Sequence, residues 1–124
     1  MSGTKYFLDT NAVIAFLKGN SSFEGQLFQA AWIGISVISV IEFLSFPSLS
    51  QTDKINLEVF TSRVVIVSLL NDLTYLESLA NFKAANKLKL PDAVIAHAAI
   101  ANNAILISND KHFQNINQLI VLNF

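Results

Sequence analysis

The sequence predicts an α/β protein with a central, mainly parallel sheet flanked by helices. Two observations carry that prediction. Short apolar segments of strand length alternate with longer segments of helical periodicity along nearly the whole chain. The strand segments are also apolar at consecutive positions rather than at every second one, the pattern of strands covered on both faces, as parallel strands are. No repeat, low-complexity tract or linker interrupts the 124 residues, so residues 1–124 read as a single domain. A chain of this length buries about two-thirds of the surface it exposes when unfolded.

The elements follow in order. Tyr6-Phe7-Leu8 is a short buried strand that stops at Asp9. Thr10 to Lys18 has apolar residues at Val13, Ile14, Phe16 and Leu17, the spacing of a helix, and Gly19-Asn20 ends it. Phe23 to Ala31 reads as a second helix and Trp32 to Ser36 as a second strand. Ser39 to Phe46 is a helix stopped by Pro47, and Asp53 to Ser62 another. Arg63 to Leu69 contains Val64-Val65-Ile66-Val67, the strongest β-branched run in the chain, and is expected as a buried strand. Asn71 to Lys87 and Pro91 to Asn102 are two long helices, the second with proline in its first turn. Ala104 to Ile107 and Leu119 to Leu122 complete the sheet.

Composition narrows the chemistry. There is no cysteine, so disulfides and thiolate metal sites are excluded. A zinc site would rest on His97, His112 and carboxylates, a poor set for that ion. The start, Met1-Ser2-Gly3-Thr4-Lys5, lacks the apolar core of a signal peptide, and no apolar run spans a bilayer. A cytoplasmic protein without membrane attachment is expected. The net charge of −1 argues against affinity drawn from a basic surface. It leaves room for a nuclease whose positive charge comes from divalent cations. Apolar residues make up 52%, an excess for so small a domain that a partner or second copy would cover.

Ligands of open α/β sheets bind beyond the carboxyl ends of the strands. Asp9 closes the first strand, and Asp110 lies just past Ala104–Ile107. Glu42 falls in the first turns of the helix after the second strand, and Asp92 in the first turn of the helix opened by Pro91. A parallel sheet puts at least Asp9, Glu42 and Asp110 on one edge, where Asp92 can join them. Carboxylates crowded in this way raise one another's pKa unless a cation holds them. Hard oxygen donors suit Mg²⁺ or Mn²⁺, which bind phosphate oxygens and promote attack of water on a phosphodiester. Each acid also has a structural role open to it. Ser39-Val40-Ile41-Glu42 has the form of a capping box, Asp92 suits a helix dipole, Asp9 can cap the first helix, and Asn109-Asp110 can be a turn.

The segments around these acids resemble a known family. Tyr6-Phe7-Leu8-Asp9-Thr10-Asn11 resembles the opening of PIN domains, VapC-type toxins in particular. Ile35 to Leu44, carrying Glu42, is similar to their second motif, Leu90-Pro91-Asp92-Ala93 to the third, and Leu106-Ile107-Ser108-Asn109-Asp110-Lys111-His112-Phe113 to the fourth. The likeness runs in the family's order over nearly the whole chain. It implies a three-layer PIN-like fold and a Mg²⁺- or Mn²⁺-dependent endoribonuclease, the toxin of a toxin–antitoxin pair, homodimeric and inhibited by a small antitoxin protein. By position, Asp9, Glu42, Asp92 and Asp110 would be catalytic, with Asp9, Asp92 and Asp110 on the metal. Asn11 would support the site. Ser108, where threonine is commoner, would orient the last acid or a phosphate. His112 stands where many relatives carry a further acid, which favours one metal over two.

The sequence is also compatible with two alternatives. A strand ending in aspartate also opens haloacid-dehalogenase-like phosphatases, but their second aspartate is here Asn11. A PIN-like module without catalysis could serve only to bind protein. Elsewhere, His97 is expected in the core or an interface and His112 in a turn near the acids. Lys87 and Lys89 read as solvated surface charges. Trp32 and the ten phenylalanines read as core or dimer contacts.

Overall fold

The computed structural model describes residues 3–124; Met1 and Ser2, the first part of the N-terminal stretch considered above, lie outside them. The element order is β1 (Lys5–Leu8), α1 (Thr10–Leu17), α2 (Glu24–Phe28), β2 (Trp32–Ser36), α3 (Val37–Leu44), α4 (Gln51–Thr61), β3 (Val65–Val67), α5 (Leu73–Asn86), α6 (Leu90–Ala101), β4 (Ile105–Ile107) and β5 (Val121–Leu122). A 3₁₀ turn, Lys111–Phe113, follows β4. In the described residues the strands form one sheet in the order β3-β2-β1-β4-β5, every pair parallel. The three-layer α/β architecture expected from the sequence is the one observed.

Each sheet face has its own core. On one side Phe7 and Leu106 pack with Leu79 of α5 and with Ala93, Val94, Ala96 and Ala99 of α6. On the other, Leu8, Ile35 and Ile107 pack with Ala12 and Val13 of α1, Leu27 of α2 and Phe60 of α4. Adjacent β1 residues therefore face opposite layers, which is why the central strands carry no polar alternation. Within β2, Gly34 lies beneath the indole of Trp32, whose ring atoms would come within 2.2 Å of any added Cβ. Among the described residues no helix is long and apolar enough to cross a membrane.

Several local expectations are corrected. Of the Val64–Val67 run, Val65–Val67 form a strand, but at the sheet's edge: Val65 and Ile66 are 45% and 40% exposed. β-Branched residues favour extended backbone wherever the strand lies, so the run reports strand and not burial. The helix carrying Glu42 begins at Val37 directly from β2, capped by Ser36, whose hydroxyl accepts from the Ile38 N–H at 3.0 Å. Ser39 is therefore inside the helix and forms no capping box with Glu42. The capping box belongs to Ser50 and Asp53, which open α4. The segment expected as a helix from Phe23 to Ala31 is helical only over Glu24–Phe28.

Candidate functional site

The topology makes the site. Strand order reverses at the centre of the sheet: β2 and β3 lie to one side of β1, β4 and β5 to the other. The crevice at the carboxyl ends beside such a switch point is where open α/β sheets bind ligands. Asp9 leaves β1 there, Asp110 follows the neighbouring β4, and Glu42 rides on α3, which leaves β2 on the other flank. The helix α6 runs back toward the start of β4, so its first turn, with Asp92, lies at the same rim. The four acids line one open cleft of about 520 Å³, together with Thr10, Asn11, Ser45 and Phe46.

Each acid is held differently. Asp9 is 4% exposed and caps α1, Oδ1 accepting from the Ala12 N–H at 2.8 Å. Its Oδ2 accepts from the hydroxyl of Ser108. Ser108 itself is fully buried, and its Oγ accepts from the Asp110 N–H at 3.0 Å. That hydroxyl ties the end of β1 to the turn after β4 and is not part of the cleft lining. Asp110 caps the 3₁₀ turn, Oδ1 accepting from the His112 N–H at 2.9 Å. Glu42 is exposed on the cleft wall, with Oε1 accepting from the Thr10 hydroxyl, which also lies 3.0 Å from the buried Ser39 hydroxyl. Asn11 is exposed at the rim.

The electrostatics record the crowding. Burial pushes the Asp9 carboxyl above its usual range; the Ser108 and Ala12 hydrogen bonds oppose that, and the charges of Asp110 and Asp92 add to it. Asp92 is likewise raised, first by burial and then by Asp110, with Glu42 adding and His112 and Lys89 opposing. Two acids are thus held in surroundings that a bound cation would relieve. The donors fit such an ion: one carboxylate oxygen each from Asp92 and Asp110 and a ring nitrogen of His112 lie within 4.8 Å of one another. His112 Nδ1 is 2.8 Å from Asp110 Oδ1 and 3.9 Å from Asp92 Oδ2. Asp9 lies deeper, with both oxygens already accepting bonds.

All the acids singled out from the sequence therefore share this cleft. Thr10, which anchors Glu42, and Ser39, which lies against the Thr10 hydroxyl, have a role at the site that sequence reasoning misses. Thr10 follows the acid that ends β1, and Ser39 stands three residues before Glu42 on α3. Those spacings are the only sequence signal for their role, and the capping-box pattern masks the second.

A profile of the PIN domain matches residues 6–119, and the chain belongs to that family. Among solved structures, the VapBC2 complex of Rickettsia felis, bound to a DNA fragment from its promoter, contains a chain 29% identical with a TM-score of 0.74, the match covering 98% of this chain and 99% of that one. A toxin–antitoxin complex from Klebsiella pneumoniae contains a chain 25% identical, TM-score 0.72, over 93% and 95% of the two chains. DNA-bound VapBC from Salmonella typhimurium, 21% identical with a TM-score of 0.71 over 97% and 98%, shares the fold. No curated protein sequence gives a significant match.

Proposed function

We propose that this PIN domain is a divalent-metal-dependent endoribonuclease and the toxin of a toxin–antitoxin pair. The observation that carries this reading is the convergence of Asp9, Glu42, Asp92 and Asp110 on one cleft at the switch point of the sheet. Asp92 and Asp110 would hold the ion, with Asp9 behind them adding negative charge and fixing the turn that bears Asp110 through Ser108. A divalent cation held there supplies the positive charge that a phosphodiester's oxygens require as the bond breaks.

The chain's own groups do the rest. Glu42 has one oxygen anchored by Thr10, which leaves the other to accept a proton from the attacking water. Water's oxygen then bonds to phosphorus in line, and the bond to the 3′-oxygen breaks. The departing oxygen takes a proton from solvent, leaving a 5′-phosphate and a 3′-hydroxyl. Asp9 is poorly placed as a phosphatase nucleophile, since it is buried and both its oxygens accept hydrogen bonds.

The similarity to chains of VapBC complexes supports an antitoxin partner. So does the exposed apolar surface: Phe28 and Leu73 are 86% and 81% exposed, and a bound antitoxin and a second copy of the chain would cover such residues. The test is cleavage of end-labelled single-stranded RNA by purified protein, with Mn²⁺ and with chelator. Metal-dependent fragments ending in 5′-phosphate, lost in Asp9→Asn, are expected. Mn²⁺ binding with no cleavage of any RNA would leave a binding module instead.

A further inference from the structure

The third donor of the metal cluster is a histidine, and the ring is well placed to be more than a turn residue. We infer that His112 is a nitrogen ligand of the ion in this cleft, so that the site selects a first-row divalent transition cation over Mg²⁺. The inference rests on reading the cleft as a metal centre and adds one ligand and an ion preference to it.

Geometry supplies the first argument. The donors of Asp92, Asp110 and His112 lie within 4.8 Å of one another. An octahedral ion with bonds of about 2.1 Å places its donors about 3.0 Å apart when adjacent and about 4.2 Å when opposite. Closing the cluster on one ion takes a contraction of about half an ångström, which side-chain torsions supply. The backbone beneath His112 is fixed: the neighbouring Phe113 is buried in the core, and the His112 N–H is bonded to Asp110. The ring is 69% exposed, so it can turn without disturbing packing.

The second argument is the count of available donors. Among the described residues the donors of Asp92, Asp110 and His112 group together within reach of one ion, and those of Asp9 and Glu42 do not join that group. Asp92 and Asp110 then need a third partner, and the imidazole is the one that lies with them. Chemistry gives the selectivity. Mg²⁺ strongly prefers oxygen donors, whereas imidazole favours first-row transition ions. A simple ion pair of imidazolium with Asp110 is the competing role for this ring.

Pulsed EPR of the purified protein with Mn²⁺ separates the cases. The expected spectrum carries ¹⁴N coupling from one imidazole, lost in His112→Gln while Mn²⁺ remains bound. His112→Glu is expected to lower the ratio of Mn²⁺ to Mg²⁺ affinity about tenfold or more. Bound Mn²⁺ without ¹⁴N coupling would overturn the role of His112 and leave the metal centre standing. Failure of the wild-type protein to bind Mn²⁺ at all would overturn both.

Discussion

Ser108 and Asp9, 99 residues apart in sequence, meet at the carboxyl edge of the sheet, where the serine hydroxyl donates to the aspartate's Oδ2. The same hydroxyl accepts from the N–H of Asp110. One fully buried side chain thus sets the spacing between an acid on β1 and an acid beyond β4. A buried hydrogen bond to a charged group is worth about 1.5–3 kcal/mol. Ser108→Ala should destabilise the protein by about that amount in denaturant unfolding and lower the cleavage rate. Ser108→Thr, which keeps the hydroxyl, should retain most of the activity.

Asp9→Asn is expected to abolish cleavage without loss of fold. The amide oxygen can accept from Ala12 as the carboxylate does, and the amide nitrogen can donate to Ser108 in place of the reverse bond. The variant removes a buried charge beside Asp92 and Asp110, so its melting temperature in chelator at neutral pH should equal or exceed that of the wild type. A cooperative melt at lower temperature would count against this.

Thr10→Val tests the anchor of Glu42. It removes the hydroxyl donated to the carboxylate and keeps the shape of the side chain. Cleavage should fall about tenfold, less than the roughly 10²–10⁴-fold that a positioned acid–base group itself contributes, because Glu42 stays in place with its anchor gone. Mn²⁺ affinity should change little, because Glu42 is outside the Asp92–Asp110–His112 cluster.

The raised carboxyls make metal binding and stability depend on pH together. Asp9 and Asp92 have folded-state pKa values above their unfolded ones. Their stabilising contribution is full below the unfolded value and is lost as pH rises through the folded one. In chelator these two acids therefore weaken the fold at neutral pH relative to mildly acidic pH. Mn²⁺ opposes that loss, so its shift of the melting temperature should grow as pH rises from the ordinary carboxylate range, where these acids are still protonated, to neutrality, where they are charged. An equal shift at both ends of that range would contradict the coupling of these acids to the ion.

His97 works in the opposite sense, away from the site. Its ring lies against Tyr75 and Phe82 of α5, Nε2 is 3.2 Å from the Ser78 hydroxyl, and Nδ1 is buried with no partner among the described residues. Burial lowers its pKa, so the stability of neutral His97 is present above the unfolded value and lost as pH falls through the folded one. His97→Leu should be as stable as the wild type at neutral pH and should unfold at a lower pH in acid titration.

Much of this was legible in the sequence because the signals are local. The end of β1 at Asp9 follows from an apolar run broken by an acid, and the first turn of α6 at Asp92 from the proline beside it. Strand ends in a parallel sheet put Asp9, Glu42 and Asp110 at one edge, where Asp92 can join them, and all four line the cleft. What the sequence hid depends on neighbours in space. Val65 and Ile66 are exposed because β3 is an edge strand, and only sheet order decides that. The start of α3 at Val37 is obscured in the sequence because Ser36 and Ser39 can both cap, and only the bond from the Ile38 N–H to the Ser36 hydroxyl settles the choice. The Thr10–Glu42 bond joins two helices through side chains 32 residues apart, so no spacing rule announces it.

Anomalous diffraction from crystals grown with Mn²⁺ addresses the central claim most directly. The expected result is a manganese peak in the cleft at the switch point, bonded to oxygens of Asp92 and Asp110. A manganese ion bound elsewhere, or an empty cleft in protein that still cuts RNA in the presence of chelator, would contradict it.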